Sequence, residues 1–365
     1  MAFQYQSVAA LSPMMLEHLA ITLVDIGILI GLYFGPGVII ALLGGTLATW
    51  LGDKRTAIIS FVLMIIGGGL MIFGASVETL MAGRLISGVG GVVINVLMTK
   101  LVIDWFSGRS LGTAMAIFLN SWPLGIAFAV LLLPLTAEIG GLTSAWFLTA
   151  SMALLALLLF APIYNPPEGA EIGSARLRLT SLPWLPLLMI SAVWGLYNAG
   201  ISMIFGFGPL IMKEQGLAQE VASVAVSLFM IGIAVAAPVG GWLSDRFGHT
   251  SKIILLTLAV PLAIFPALLS VPDAFAWPAY ALAGLVIGLS PGLIVSLPSR
   301  FLPTEARSFG MGVFYAGYYV FMTLAPPIAA SVSEAMVNIE LPYFLGAGFM
   351  ALGLIAFAGL LRSQR

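Results

Sequence analysis

The feature that most limits this chain is a succession of apolar runs, each about as long as a bilayer is thick. They occupy residues 25–51, 57–76, 79–104, 110–137, 142–163, 183–212, 218–244, 252–271, 274–299, 307–332 and 341–361. A helix needs about 20 mostly apolar residues to cross hydrocarbon. The runs are continuous rather than alternating, so helices are expected and barrel strands are not. With 61% hydrophobic and only 8% charged residues, the chain lacks the polar skin that a water-soluble fold requires. An all-α membrane protein is expected.

Charge gives the orientation. Lys54, Arg55, Lys100, Arg109, Arg176, Arg178, Arg246, Lys252, Arg300, Arg307, Arg362 and Arg365 all fall at one side of the slab. The other side holds Glu17, Glu78, Glu138, Glu220, Asp273, Glu334 and Glu340, with Lys213 as its one lysine. Basic connections stay in the cytoplasm, so both termini are expected there, in a bacterial inner membrane. That requires an even number of crossings. Residues 1–16 are therefore counted as a short first span, giving twelve. The N-terminus lacks a basic n-region, and no cleavable signal is expected.

A repeat organises the spans. Gly44 and Gly45 recur 196 residues later as Gly240 and Gly241, and at the same offset Pro13 meets Pro209, Leu47 meets Leu243, and Gly52 meets Gly248. Arg109-Ser110-Leu111-Gly112 is followed 198 residues later by Arg307-Ser308-Phe309-Gly310. Residues 164–182 are rich in Pro, Gly and charge and are expected to link two six-helix bundles, 1–163 and 183–365. By the repeat, span one is about a dozen residues shorter than span seven. Two bundles of like orientation, related by an axis along the membrane normal, are a transporter architecture.

On these residues the chain resembles the major facilitator superfamily, over essentially its whole length. The most specific match is Gly241-Trp242-Leu243-Ser244-Asp245-Arg246-Phe247-Gly248, which fits that family's Gly-x-Leu-x-Asp-Arg-x-Gly loop. The first copy departs from it, with Thr49 and Trp50 in place of Asp and Arg, followed by Asp53. Arg84-Leu85-Ile86-Ser87-Gly88-Val89-Gly90 matches the family's Arg-x-x-x-Gly-x-Gly in span four. The resemblance implies an inter-bundle latch on the basic side, formed by Gly45, Thr49, Asp53, Arg109, Gly241, Asp245, Arg246, Gly248 and Arg307. Asp245 is expected at the start of span five, and Thr49 near Arg307, which makes the latch stronger around Asp245. The plainer reading is that these loops only anchor helix ends. The glycines are expected to admit a close neighbouring helix.

Intramembrane polar side chains are the candidates for cargo contact. Arg84 either attracts an anionic group, couples to proton movement as the family motif implies, or plays a packing part, snorkelling outward or hydrogen-bonding neighbouring helices. Trp194, Tyr197 and Asn198 share a face of span seven; Tyr315, Tyr318 and Tyr319 share one on span eleven. Gln4 on span one, and Asn120 and Trp122 on span five, complete the set. The resemblance places these spans around a central path; helix packing is the competing reading. No Asp or Glu lies in the middle of a span, which favours facilitated diffusion, exchange, or coupling through the substrate's own charge.

A secondary or facilitative transporter of a small organic solute is expected, above all an organic anion, working by alternating access. A drug exporter and a non-transporting receptor on the same scaffold are the alternatives. No cofactor, metal, enzymatic activity or nucleic-acid partner is expected, because the chain lacks cysteine, a Walker sequence and an acid-base cluster. Lipid and a small-molecule substrate are the expected partners of a monomer.

Overall fold

The computed structural model describes residues 1–43, 51–74, 76–106, 111–165, 182–302 and 307–363. Helices build the membrane body, and among the described residues there is no strand. Span one is Ala2–His18 and span two runs over Leu23–Leu42. Spans three and four are Asp53–Phe73 and Val77–Phe106. Leu111–Ile163 is interrupted by non-helical Gly140 and by Gly141, whose φ of 72° is left-handed, so it holds spans five and six. Spans seven and eight are Trp184–Glu214 and Gln219–Phe247. Spans nine to twelve are Thr250–Leu268, Asp273–Arg300, Arg307–Ala335 and Leu341–Arg362. Each of the twelve expected segments is mainly helical over its described residues.

Local chemistry sets several boundaries. Thr22 and Asp25 form a reciprocal capping box, which starts span two at Leu23. Span two turns at residues 33–36, next to Pro36, before resuming at Gly37. Span nine restarts at Pro261, and span ten at Pro291, where a ring that lacks an N–H is tolerated in a first turn. Pro123, Pro326 and Pro327 lie within helices that continue through them.

Span one can be polar because protein surrounds most of it. Gln4, Gln6, Ser7 and Ser12 are all buried at the centre of the molecule. Ser7 and Ser12 donate to the carbonyls of Gln4 and Ala9 on their own helix, which removes the cost of burying a hydroxyl.

The repeat is visible as repeated contacts. A Cβ on Gly88 would lie 2.2 Å from the Tyr33 carbonyl oxygen, and one on Gly284 would lie 2.0 Å from that of Phe229. Each residue of the second pair stands 196 positions after its counterpart in the first. The seam between halves repeats too. On one flank, a Cβ on Gly31 in span two would meet the Thr323 carbonyl of span eleven at 2.2 Å. On the other, the equivalent Ser227 of span eight donates to the carbonyl of the equivalent Ala127 in span five at 2.9 Å. Pro327 explains the first contact: it has no N–H to give the carbonyl four residues back, Thr323, so that oxygen turns to the bare backbone of Gly31.

Candidate functional site

Aromatic rings from both halves fill the middle of the seam. Phe34 of span two is the hub: its ring centroid lies 4.5 Å from Tyr5, 5.8 Å from Trp122, 5.8 Å from Tyr318 and 5.5 Å from Tyr319. Tyr318 continues to Trp194 at 6.0 Å, and Trp194 stacks on Tyr197 and Phe314 at 5.7 and 6.4 Å. Tyr315 joins through Phe314 and Tyr318. Phe205 meets Tyr5 edge-on at 6.1 Å. Such ring pairs contribute about 0.5–1.5 kcal/mol each beyond area burial. The two halves thus share one aromatic core. In this conformation the rings pack on one another instead of lining an open cleft. A surface groove of about 540 Å³ lies elsewhere, beside Phe61, Trp105, Phe160 and Tyr164 of the first half, far from this centre.

Among the expected cargo residues, Trp122, Trp194, Tyr197, Tyr315, Tyr318 and Tyr319 are brought together in this core. Tyr197 donates to the Ile287 carbonyl within its own half. Asn198 is half-buried and donates to Trp194, one turn back on its own helix. Asn120 is half-buried on span five, with no hydrogen bond among the described residues. The Trp122 indole points its N–H toward Asn95 Oδ1, at 3.4 Å.

Arg84 and Gln4 form a clasp inside the first half. The guanidinium donates to the carbonyls of Leu29, Gln4 and Tyr5, each at 2.8 Å, and lies 4.6 Å from the Tyr33 ring centre. Gln4 donates to Met64 O and Ser87 Oγ, tying span one to spans three and four. Arg84 is 1% exposed, so it does not snorkel: the side chain points into the bundle and hydrogen-bonds the neighbouring helices, the packing part the sequence reading also allowed. Carbonyl dipoles and a ring face surround its charge, and no described carboxylate pairs with it.

Only part of the expected latch lies among the described residues. Gly45, Thr49 and Arg109 lie outside the described residues, as does the side chain of Arg307, whose backbone opens span eleven. Asp245 and Arg246 are exposed, with no partner among the described residues. Asp53 pairs with Lys100 at 2.6 Å, and Lys100 also reaches Asp104, so this carboxylate braces spans three and four of one half. Gly248 caps span eight with φ 66°. The glycine packed against another helix is Gly240, whose Cβ would sit 1.8 Å from Leu289 O; around Gly241 there is open space. Glycine supplies close approach here, but one position earlier than expected and within one half.

At the acid-rich end the halves are fastened directly. Lys213 pairs with Glu17, and the Val24 N–H donates to Glu334 Oε2 at 3.3 Å; deeper, beside the aromatic core, Gln6 Nε2 donates to Phe205 O at 2.7 Å. The sequence reading noted Gln6 beside Gln4 on span one but missed the fastening role of Glu17, Val24, Lys213 and Glu334, together with Tyr5, Phe34 and Phe205. The repeat offset held the signal for one pair, because Glu17 and Lys213 are also 196 residues apart.

Two pseudo-symmetric six-helix bundles, closed over a shared core and pinned at one end, define a multi-pass membrane protein with a transporter-type fold. The description of the Major Facilitator Superfamily matches residues 1–210 and again 195–365, and the chain belongs to that family. It is 26% identical to the gallate transporter of Pseudomonas putida over 165 residues, covering 42% of this chain and 35% of that protein. It is 21% identical to the probable sulfoacetate transporter SauU of Cupriavidus necator over 379 residues, covering 96% of this chain and 88% of that one. Further relatives are named for 4-hydroxybenzoate transport in Pseudomonas aeruginosa and for multidrug efflux in Bacillus subtilis. The nucleoside transporter NupG, solved in mutant form, shares the fold with a TM-score of 0.77 over 98% of this chain and 96% of that one, at 14% identity. The protein is an integral multi-pass membrane transporter.

Proposed function

We propose that this protein carries a small organic anion across the cytoplasmic membrane by alternating access. The observation that carries this reading is the buried charge of Arg84. Its cation stands beside the aromatic seam without a described acid to neutralise it. Low-dielectric surroundings extend its field into that seam, so an anion gains there and a cation loses. The names of the gallate and sulfoacetate relatives support the same class. The basic loops support cytoplasmic termini and, with them, an external position for the pinned, acid-rich end.

The first test is uptake of radiolabelled 4-hydroxybenzoate and sulfoacetate into proteoliposomes, with and without a pH gradient. Saturable flux of either anion carries the proposal, and the gradient arm separates uniport from proton coupling. Absence of anion flux overturns it. A second reading, export of apolar drugs, draws on the aromatic core and on the multidrug efflux relative. Efflux of lipophilic cationic dyes without anion flux would favour that reading.

A further inference from the structure

Three polar atoms in the middle of the membrane are buried without a hydrogen-bond partner: Tyr5 Oη, Trp194 Nε1 and Gln6 Oε1. In a native core such atoms call for an explanation, and a missing ligand is one. Tyr5 is 1% exposed and Gln6 is 0% exposed, so neither atom is answered by bulk water. The free atom of Gln6 is fixed by its neighbour: the Phe205 carbonyl can only accept, so the amide N–H₂ must face it and the oxygen is the group left over.

Their placement is ordered. Tyr5 and Trp194 stand at the two ends of a run of rings, Tyr5–Phe34–Tyr318–Trp194, with steps of 4.5, 5.8 and 6.0 Å between centroids. Tyr5 and Phe34 belong to the first half, Tyr318 and Trp194 to the second. The run therefore crosses the seam that must open and close for transport. The indole offers only a donor, the phenol a donor or an acceptor, and Gln6 only an acceptor.

We infer that Tyr5, Gln6 and Trp194 are the polar contacts of the substrate, and that the substrate is a planar aromatic acid bearing a hydroxyl group. A flat ring exchanges ring–ring contacts with Phe34 and Tyr318 for ring–ligand contacts of the same kind. The indole N–H meets a carboxylate oxygen at one end. At the other, the phenol of Tyr5 and the oxygen of Gln6 receive the substrate hydroxyl. Arg84, already committed to three carbonyls, supplies field without touching the ligand. This assignment rests on the anion-carrier reading above and names its substrate class.

The test uses Tyr5→Phe and Trp194→Phe, which keep an aromatic ring and remove the polar atom. Uptake of 4-hydroxybenzoate and of benzoate is measured in proteoliposomes, and the thermal midpoint of the purified protein is measured with and without each acid. Tyr5→Phe should raise KM for 4-hydroxybenzoate about tenfold or more, and leave KM for benzoate within about twofold, since only the former has a hydroxyl to lose. Trp194→Phe should raise KM for both. Without ligand, Tyr5→Phe should not melt below the wild type, because an unpartnered buried group has been removed at nearly constant volume. Unchanged KM values in both variants, or a lower ligand-free midpoint in Tyr5→Phe with unchanged discrimination between the two acids, would overturn the assignment. Wild-type flux of sulfoacetate but of neither benzoate would also overturn it and leave the anion-carrier reading standing. No anion flux at all would remove both.

Discussion

Glu17 and Lys213 occupy equivalent positions of the two halves, and they touch. They are separated by 196 residues, the offset of the repeat, and their side chains meet at 2.5 Å. Only residues beside the pseudo-twofold axis can meet their own counterparts, so this pair marks where the axis leaves the acid-rich end. Identical charges there would repel. The halves have diverged to opposite charges, which turns the axis into a fastening.

Reversing one member should loosen that end. The pair is partly exposed, at 32% and 53%, so it contributes about 0.2–1 kcal/mol, or up to about fivefold in the closed population. Glu17→Lys should lengthen the distance between spin labels on Ala20 and Ala218. Glu17→Lys with Lys213→Glu should restore it. The chain has no cysteine of its own, so labels go only where they are introduced. High salt should reduce the difference.

The two flanks of the seam should respond unequally to a methyl group. Gly31→Ala drives a Cβ into the Thr323 carbonyl, a backbone atom that cannot step aside. Its cost should reach about 1–3 kcal/mol, with a matching loss of transport. Ser227→Ala, at the equivalent place, removes one hydrogen bond worth about 0.6 kcal/mol within a membrane. Gly348→Ala meets nothing within 4 Å and should be neutral or stabilising by up to about 1 kcal/mol. Thermal unfolding in detergent ranks the three.

Arg84→Lys should fail as a conservative change. One ammonium cannot span the three carbonyls that the planar guanidinium fork reaches on spans one and two. A loss of at least about 2 kcal/mol is expected. An unchanged melting midpoint in the lysine variant would show that the clasp contributes little.

Gly240→Ala and Gly241→Ala, neighbours in one loop-end motif, should behave oppositely. The first collides with Leu289 O and should cut both expression and stability, while the second faces open space and should be tolerated.

Those glycines show where the sequence was legible. Apolar length revealed eleven of the twelve spans, because that signal is local; the first was counted only from the parity that the charged ends require, and the break at Gly140-Gly141 between spans five and six is seen in the structure. The 196-residue offset announced two halves, and structure repeats it in Gly88 with Tyr33 and Gly284 with Phe229. Side-chain destinations were not local. Arg84 is intramembrane as read, yet its partners lie 55 to 80 residues away on helices whose rotation the sequence does not specify. Tyr5 looked like part of a weak, polar first span; only packing shows it as the ring beside Phe34. Gly240 and Gly241 differ by one position, about 100° around a helix, which motif matching does not resolve.

Span seven and the hairpin of spans five and six are opposites in their surroundings: 72% of the apolar window of Trp184–Glu214 is buried by protein, against 17% of that in Thr113–Ile163. Acyl chains are thus the main neighbours of that apolar window, while span five keeps Trp122 and Ala127 for the seam. Bilayer thickness and tail order should tune this transporter through that hairpin, while the central helix stays indifferent to them.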